Sequence, residues 1–190
     1  DFYVCSGHKL YGPSGIGFLY GRLGLLEAML PWQGGEGATH AVNFETSQYA
    51  APPHKFEAGM PPLAQAVGLG IALQYLQTHG MEVIAAYEAE LFHCLHETLK
   101  AIPHVTLLGA PARKVSILSF TVKGVTAETF ATFLDQEGIA VSILYASNTP
   151  VLSALKTNEA IRISLGLYNT QSDITALTHS LHSAAAFFGT

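Results

Sequence analysis

Ser6, Gly7, His8 and Lys9 stand together at the end of a short apolar run, Phe2 to Cys5. A turn rich in glycine and proline (Gly12, Pro13, Ser14, Gly15) follows, and then a second apolar run from Ile16 to Tyr20. A lysine held at the end of a buried strand has a chemical use. Desolvation disfavours its ammonium form, lowers its pKa and frees the amine to attack an aldehyde and form a Schiff base. Ser6 and His8 flank it with the donors an anionic phosphate would want. The same four residues also read as a surface lysine in a β-hairpin loop, and taken alone they leave both readings open.

The elements that must position this turn can be read from period and punctuation. Strands are expected at 2–5 and 16–20, and a helix at 23–30, with Leu23, Leu26 and Leu30 in phase. Residues 31–62 show no sustained period, and so long a connection inside a compact domain is usually functional. A helix rich in Ala and Gly, and so closely packed, is expected from Leu63 to Leu76. A long amphipathic helix follows from Met81 to Ile102, with Ile84, Tyr87, Leu91, Leu95, Thr98 and Ile102 on one stripe. Strands are expected at 105–108 and 115–122, the second alternating Leu118, Phe120 and Val122 against Ile117, Ser119 and Thr121. A helix at 127–136 ended by Gly138, strands at 139–144 and 161–167, and a helix at 172–188 capped by Ser172 or Asp173 complete the chain. A boundary near 80–100 divides a β-loop-β-helix piece, residues 1–80, from an α/β unit, residues 81–190.

Composition limits the function classes. Hydrophobic residues make up 49% of the chain and charged residues 12%, about half the usual ~25%. With so little polar surface, much of the outside is expected to be buried against a partner or against protein beyond this chain. The net charge of −5, with nine basic residues scattered along the sequence, argues against nucleic acid or an anionic membrane as partner. His93 and His96 are three apart on a helix, but no carboxylate or cysteine set completes a metal site. Cys5 and Cys94 do not make a disulfide framework, and Cys94 is expected as a buried thiol. With neither a signal peptide nor a membrane-length apolar run, the expected location is cytoplasmic. The start at Asp1, in mid-strand and without Met, reads as a fragment.

Four segments fall in order: FYVCSGHKLYGPSGIGFLYG at the start, KFEAGMPP at 55–62, GIAVSILYASNTPVL at 138–152 and IRISLGLYNT at 161–170. Together they resemble the C-terminal half of class V aminotransferase-fold enzymes, closest to the SUF type of cysteine desulfurase and selenocysteine lyase. The resemblance implies an α/β architecture, the end of the fold type I large domain of PLP-dependent transferases followed by their small C-terminal domain. It makes Lys9 the residue that holds pyridoxal 5'-phosphate (PLP) as an internal aldimine and later shuttles the substrate α-proton. It places Ser6 and His8 on the cofactor phosphate and Arg162 on the substrate carboxylate, a task suited to a planar fork of donors. Asn169 and Thr170 are read as a cap for the closing helix. An amino-acid substrate, a homodimer and a sulfur-acceptor protein are the partners it implies.

Three departures from the family pattern stand out. Desulfurases of this type carry a nucleophilic cysteine in a loop resembling R-x-G-x-x-C-A, where this chain has Ser142 for the arginine and Ser147 for the cysteine. A serine hydroxyl cannot hold a persulfide. Met60 stands where the family has a threonine that reaches the partner's cofactor phosphate, and a thioether cannot donate that bond. The aspartate that faces the pyridine nitrogen and the ring stacked on the cofactor lie upstream of Asp1 in the family, so this half-chain alone is expected to bind PLP poorly. A Cys-free class V lyase, transaminase or epimerase, and a non-catalytic dimerisation homologue, are the alternatives these departures raise.

Overall fold

The computed structural model describes residues 1–111 and 114–188. It falls into two compact units, Asp1–Gly80 and Met81–Thr190.

In the first unit, β1 (Phe2–Ser6) and β2 (Gly17–Gly21) form an antiparallel two-stranded sheet that pairs Ser6 with Gly17 and Cys5 with Phe18. Helix α1 (Leu23–Ala28) follows. The stretch 31–62, expected to be irregular, contains a second hairpin, β3 (Thr39–Val42) and β4 (Ser47–Tyr49), and a 3-10 turn at His54–Phe56. The hairpin reverses on Asn43, whose Oδ1 accepts from the backbone N–H of Glu45 and Thr46 at 3.0 and 2.7 Å. Both strands are short and exposed, so no buried face imposed a period to read.

Helix α2 (Leu63–His79) is closely packed on one side, where Gly68 and Leu69 lie against Pro13 and Gly12, and open on the other. Only Leu69 and Leu76 are buried along it, while Leu63, Val67, Ile71 and Tyr75 form an exposed stripe at four-residue spacing. Tyr3, Val4, Leu19 and Tyr20 on the first hairpin are exposed as well. An apolar surface of this extent matches the low charge content and suits a protein face that another surface covers.

The second unit holds α3 (Met81–Lys100), β5 (Val105–Leu108), β6 (Ile117–Val122), α4 (Ala127–Gln136), β7 (Ser142–Tyr145), α5 (Pro150–Ala154), β8 (Glu159–Ser164) and α6 (Gln171–Phe188). Its four strands form an antiparallel sheet in the order β5-β6-β8-β7. Leu118, Phe120 and Val122 of β6 with Ile161 and Ile163 of β8 point to one face. There they meet Leu91, Leu95 and Leu99 of α3, Phe130 and Leu134 of α4, and Ile174, Leu177 and Leu181 of α6. The buried stripe of α3 runs through Leu99, whereas Thr98, expected on it, is only half-buried. Strands β6, β7 and β8 are shorter than or offset from the expected 115–122, 139–144 and 161–167. Each ends where its partner strand no longer supplies a ladder. Cys94 is half-buried rather than buried, and its Sγ accepts from Gln171 Nε2 at 3.0 Å.

The closing helix begins at Gln171, one residue before the expected start. Asp173 reaches back to accept from the Thr170 backbone N–H at 2.8 Å and from Asn169 Nδ2 at 3.2 Å. The Thr170 bond, then the Asn169 bond, hold the Asp173 carboxyl below the ordinary aspartate range. Its stabilising contribution is therefore complete above the pKa of an unfolded aspartate and is lost as pH falls through the lowered folded value. Asp173→Ala is expected to fray the first turn of α6 and to lower the melting temperature at neutral pH. The difference from wild type should vanish in acid, as thermal melts across an acid-to-neutral series would show. A melting temperature equal to wild type at neutral pH would remove the cap from the account.

Candidate active site

Lys9 lies on a single 3-10 turn, Gly7–Leu10, that starts where β1 ends. The turn is pinned at its base: Gly7 N–H donates to Ile16 O at 2.8 Å, and Gly12 N–H donates to Gly7 O at 3.0 Å. Two glycines make this closeness possible. A Cβ on Gly17 would stand 2.6 Å from the Cys5 carbonyl oxygen, and one on Gly7 would meet Ile16 Cγ2 at 2.9 Å. Ser6 and His8 share the rim of an open cleft of about 510 Å³ with Gly15, Gly17 and Phe18. Among the described residues the Lys9 amine has no hydrogen-bonding partner.

The expectation of a buried lysine is corrected. Lys9 and His8 are exposed, as are Phe2 to Val4 of β1. Among the described strands β1 pairs with β2 alone, and although Leu69 of the helix at Leu63–His79 lies against Gly12, the Lys9 side chain stays open to solvent. Sequence reasoning also passed over Lys55, which is buried, donates from Nζ to Glu27 O at 3.0 Å at the end of α1, and lies over the Phe56 ring. This bond and the one from Gly59 N–H to Glu36 O at 2.9 Å tie down the segment that carries Met60, itself 87% exposed.

Arg162 lies in β8 of the second unit, half-buried, with its Nε buried and without an acceptor. Nη2 donates to Ser142 Oγ at 3.3 Å. In register, Arg162 stands directly across from Ser119 on β6 and Ser142 on β7. Sequence reasoning noted Ser142 only as a substituted position. The alternation of β6 and β8, with Phe120 and Ile161 facing the core, was the signal that Ser119 and Arg162 share the other face. Ser147 is exposed, on the turn after β7 where Ala146 N–H donates to Asn158 O at 2.8 Å.

A family model for class-V aminotransferases matches residues 1–177. The chain belongs to the class-V aminotransferase family. Over its full length it is 40% identical to a cysteine desulfurase of Serratia proteamaculans, of which it spans 47%. Over 95% of its length it is 43% identical to a cysteine desulfurase of Synechococcus elongatus, of which it spans 29%. Its fold is similar to the crystal structure of the cysteine desulfurase CsdA (S-sulfonic acid) from Escherichia coli. The TM-score is 0.92 at 36% identity, covering 98% of this chain and 46% of that one. This class-V chain thus spans less than half the length of the relatives it matches. No described helix is long and apolar enough to cross a membrane, and no described group of His, Cys, Asp and Glu could hold a metal ion.

Class-V aminotransferase chemistry implies PLP, and the donor set of the Lys9 turn fits it. A hydroxyl, an imidazole and an unpartnered primary amine lie within four residues on one pinned backbone turn. The exposed Met60 thioether adds no donor.

Proposed function

We propose that this chain is the lysine- and arginine-bearing part of a PLP-dependent enzyme that acts on an amino acid such as L-cysteine or L-selenocysteine. The observation that carries the reading is the unpartnered Lys9 amine on a turn flanked by Ser6 and His8, in a class-V chain about 40% identical to cysteine desulfurases. When bound, PLP supplies an electron sink for negative charge that develops on the substrate Cα.

Ser6 Oγ and the His8 ring donate to an anionic phosphate. Lys9 Nζ is the attachment point, and it holds and moves the proton at the substrate Cα. Arg162 pairs its guanidinium with the substrate carboxylate. Because Lys9 is exposed on its own unit, the water exclusion that frees its amine is assigned to protein covering the first hairpin, in a homodimer. Residues 1–80 then form the end of the large PLP-binding domain and residues 81–190 the small domain. A cytoplasmic location and a sulfur-acceptor protein belong to the same proposal.

Ser147 favours a second reading within this chemistry. Without a thiol on that turn, elimination or amino transfer can proceed but persulfide relay cannot. Cysteine turnover with reductant separates them by product: a desulfurase releases sulfide and leaves alanine, an eliminating lyase releases sulfide and leaves pyruvate and ammonia, and a transaminase passes the amino group to a keto acid. Ser147→Cys is expected to gain a persulfide, read by alkylation and mass spectrometry, while wild type shows none at that position. A wild type that yields neither sulfide nor amino transfer would overturn the enzyme reading, and a persulfide already present at another residue would overturn the role given to this turn.

A further inference from the structure

The sheet of the second unit has two unlike faces. Phe120, Ile161 and Ile143 lie side by side across β6, β8 and β7 and point into the core. One residue along each strand lie Ser119, Arg162 and Ser142, also side by side and facing the other way. Directly opposed residues in such a ladder have Cβ atoms about 4.5–5.5 Å apart, so two hydroxyl-bearing residues flank the base of the arginine.

Glu159, the carboxylate on the same strand, does not neutralise it. That side chain lies on the opposite side of the pleat and accepts from the Ala127 N–H at 3.0 Å, at the start of α4. Among the described residues no carboxylate pairs with Arg162, its buried Nε has no acceptor, and one arm is held by Ser142 at 3.3 Å.

Resting on the reading of Arg162 as the carboxylate grip, we propose that Ser142 is its positioning residue. Its hydroxyl fixes one arm of the guanidinium at 3.3 Å and so holds the fork in place for the ligand. An arginine side chain has many rotamers, and holding it before the ligand arrives removes part of the ordering cost of binding. A serine does this without bringing a charge. A carboxylate at position 142 would neutralise the fork, and a second cation would repel it.

The test is a titration of the full chain with acetate, read at the arginine Nε–H signals by NMR. The three arginines, Arg22, Arg113 and Arg162, keep this spectrum simple, and Arg162→Lys identifies the signal of interest. Acetate is expected to shift that signal in wild type. Ser142→Ala should weaken acetate binding about three- to tenfold, the worth of one ordinary net hydrogen bond. Ser142→Thr should restore it, and Ser142→Val, alike in shape but lacking the hydroxyl, should not. The Thr–Val pair gives the same comparison should Ser142→Ala lose its fold. Equal acetate affinity in wild type, Ala and Val forms would overturn the positioning role while leaving the Arg162 reading intact. No shift of the Arg162 signal in wild type would overturn the Arg162 reading and this proposal with it.

Discussion

Replacing Lys9 by alanine is expected to abolish the visible absorbance that protein and PLP develop together, and to lower turnover by on the order of 10³-fold or more. Lys9 sits on the Gly7–Leu10 turn. Its backbone is held by Gly7 N–H to Ile16 O and Gly12 N–H to Gly7 O, so removing an exposed side chain that is not hydrogen-bonded among the described residues leaves the geometry intact. The loss is then chemical, not structural. Lys9→Arg is expected to fail equally, because a guanidinium keeps the charge but offers no amine that can be deprotonated near neutral pH. The measurement is an absorbance spectrum before and after borohydride, with a melting curve to show that both variants fold as wild type does. Retention of a borohydride-sensitive absorbance in Lys9→Ala would sink the assignment of Lys9 as the attachment point.

Phe120→Ala is expected to have the largest effect on stability, a loss of about 3–5 kcal/mol. Phe120 is fully buried at the centre of β6 and meets the Phe130 ring of α4 edge to face, with centroids 6.4 Å apart at 90°. Truncation removes the transfer energy of a whole ring and leaves a cavity that a four-stranded sheet backed by three helices closes only in part. Since whole domains are stable by roughly 5–15 kcal/mol, this one change takes a large share. Thr106→Ala, an exposed position on the other face of the same sheet, is the comparison and should stay within about 0.5 kcal/mol of wild type. Urea unfolding of the two variants decides the matter: similar midpoints would show that the sheet-to-helix layer is not the core.

Where a face is buried, the sequence was readable. The alternation Leu118, Phe120, Val122 appears in the chain because every second residue of β6 must face α3, α4 and α6, and Leu91 and Leu95 recur for the same reason on a helix, where Leu99 and not Thr98 continues the stripe. Where no face is buried, it was not. The β3–β4 hairpin has short strands with no core side, and its one local sign was the side chain of Asn43 folding back on Glu45 and Thr46. The start of α6 was read one residue late because Asp173 acts from inside the helix on the Thr170 N–H and not as the cap itself.

The site divides along the same line. A lysine, a histidine and a serine on a glycine-bounded turn are local facts, written in consecutive residues, and the amino-acid sequence determined them by itself. So too was the absence of a thiol at position 147. Tertiary structure alone decided that Lys9 is exposed on its own unit, since exposure depends on how many strands and layers surround β1. It alone set Ser142 and Ser119 beside Arg162. Alternation assigns each residue a face, but the register between strands distant in the chain is set by how Phe120, Ile161 and Ile143 pack into one core.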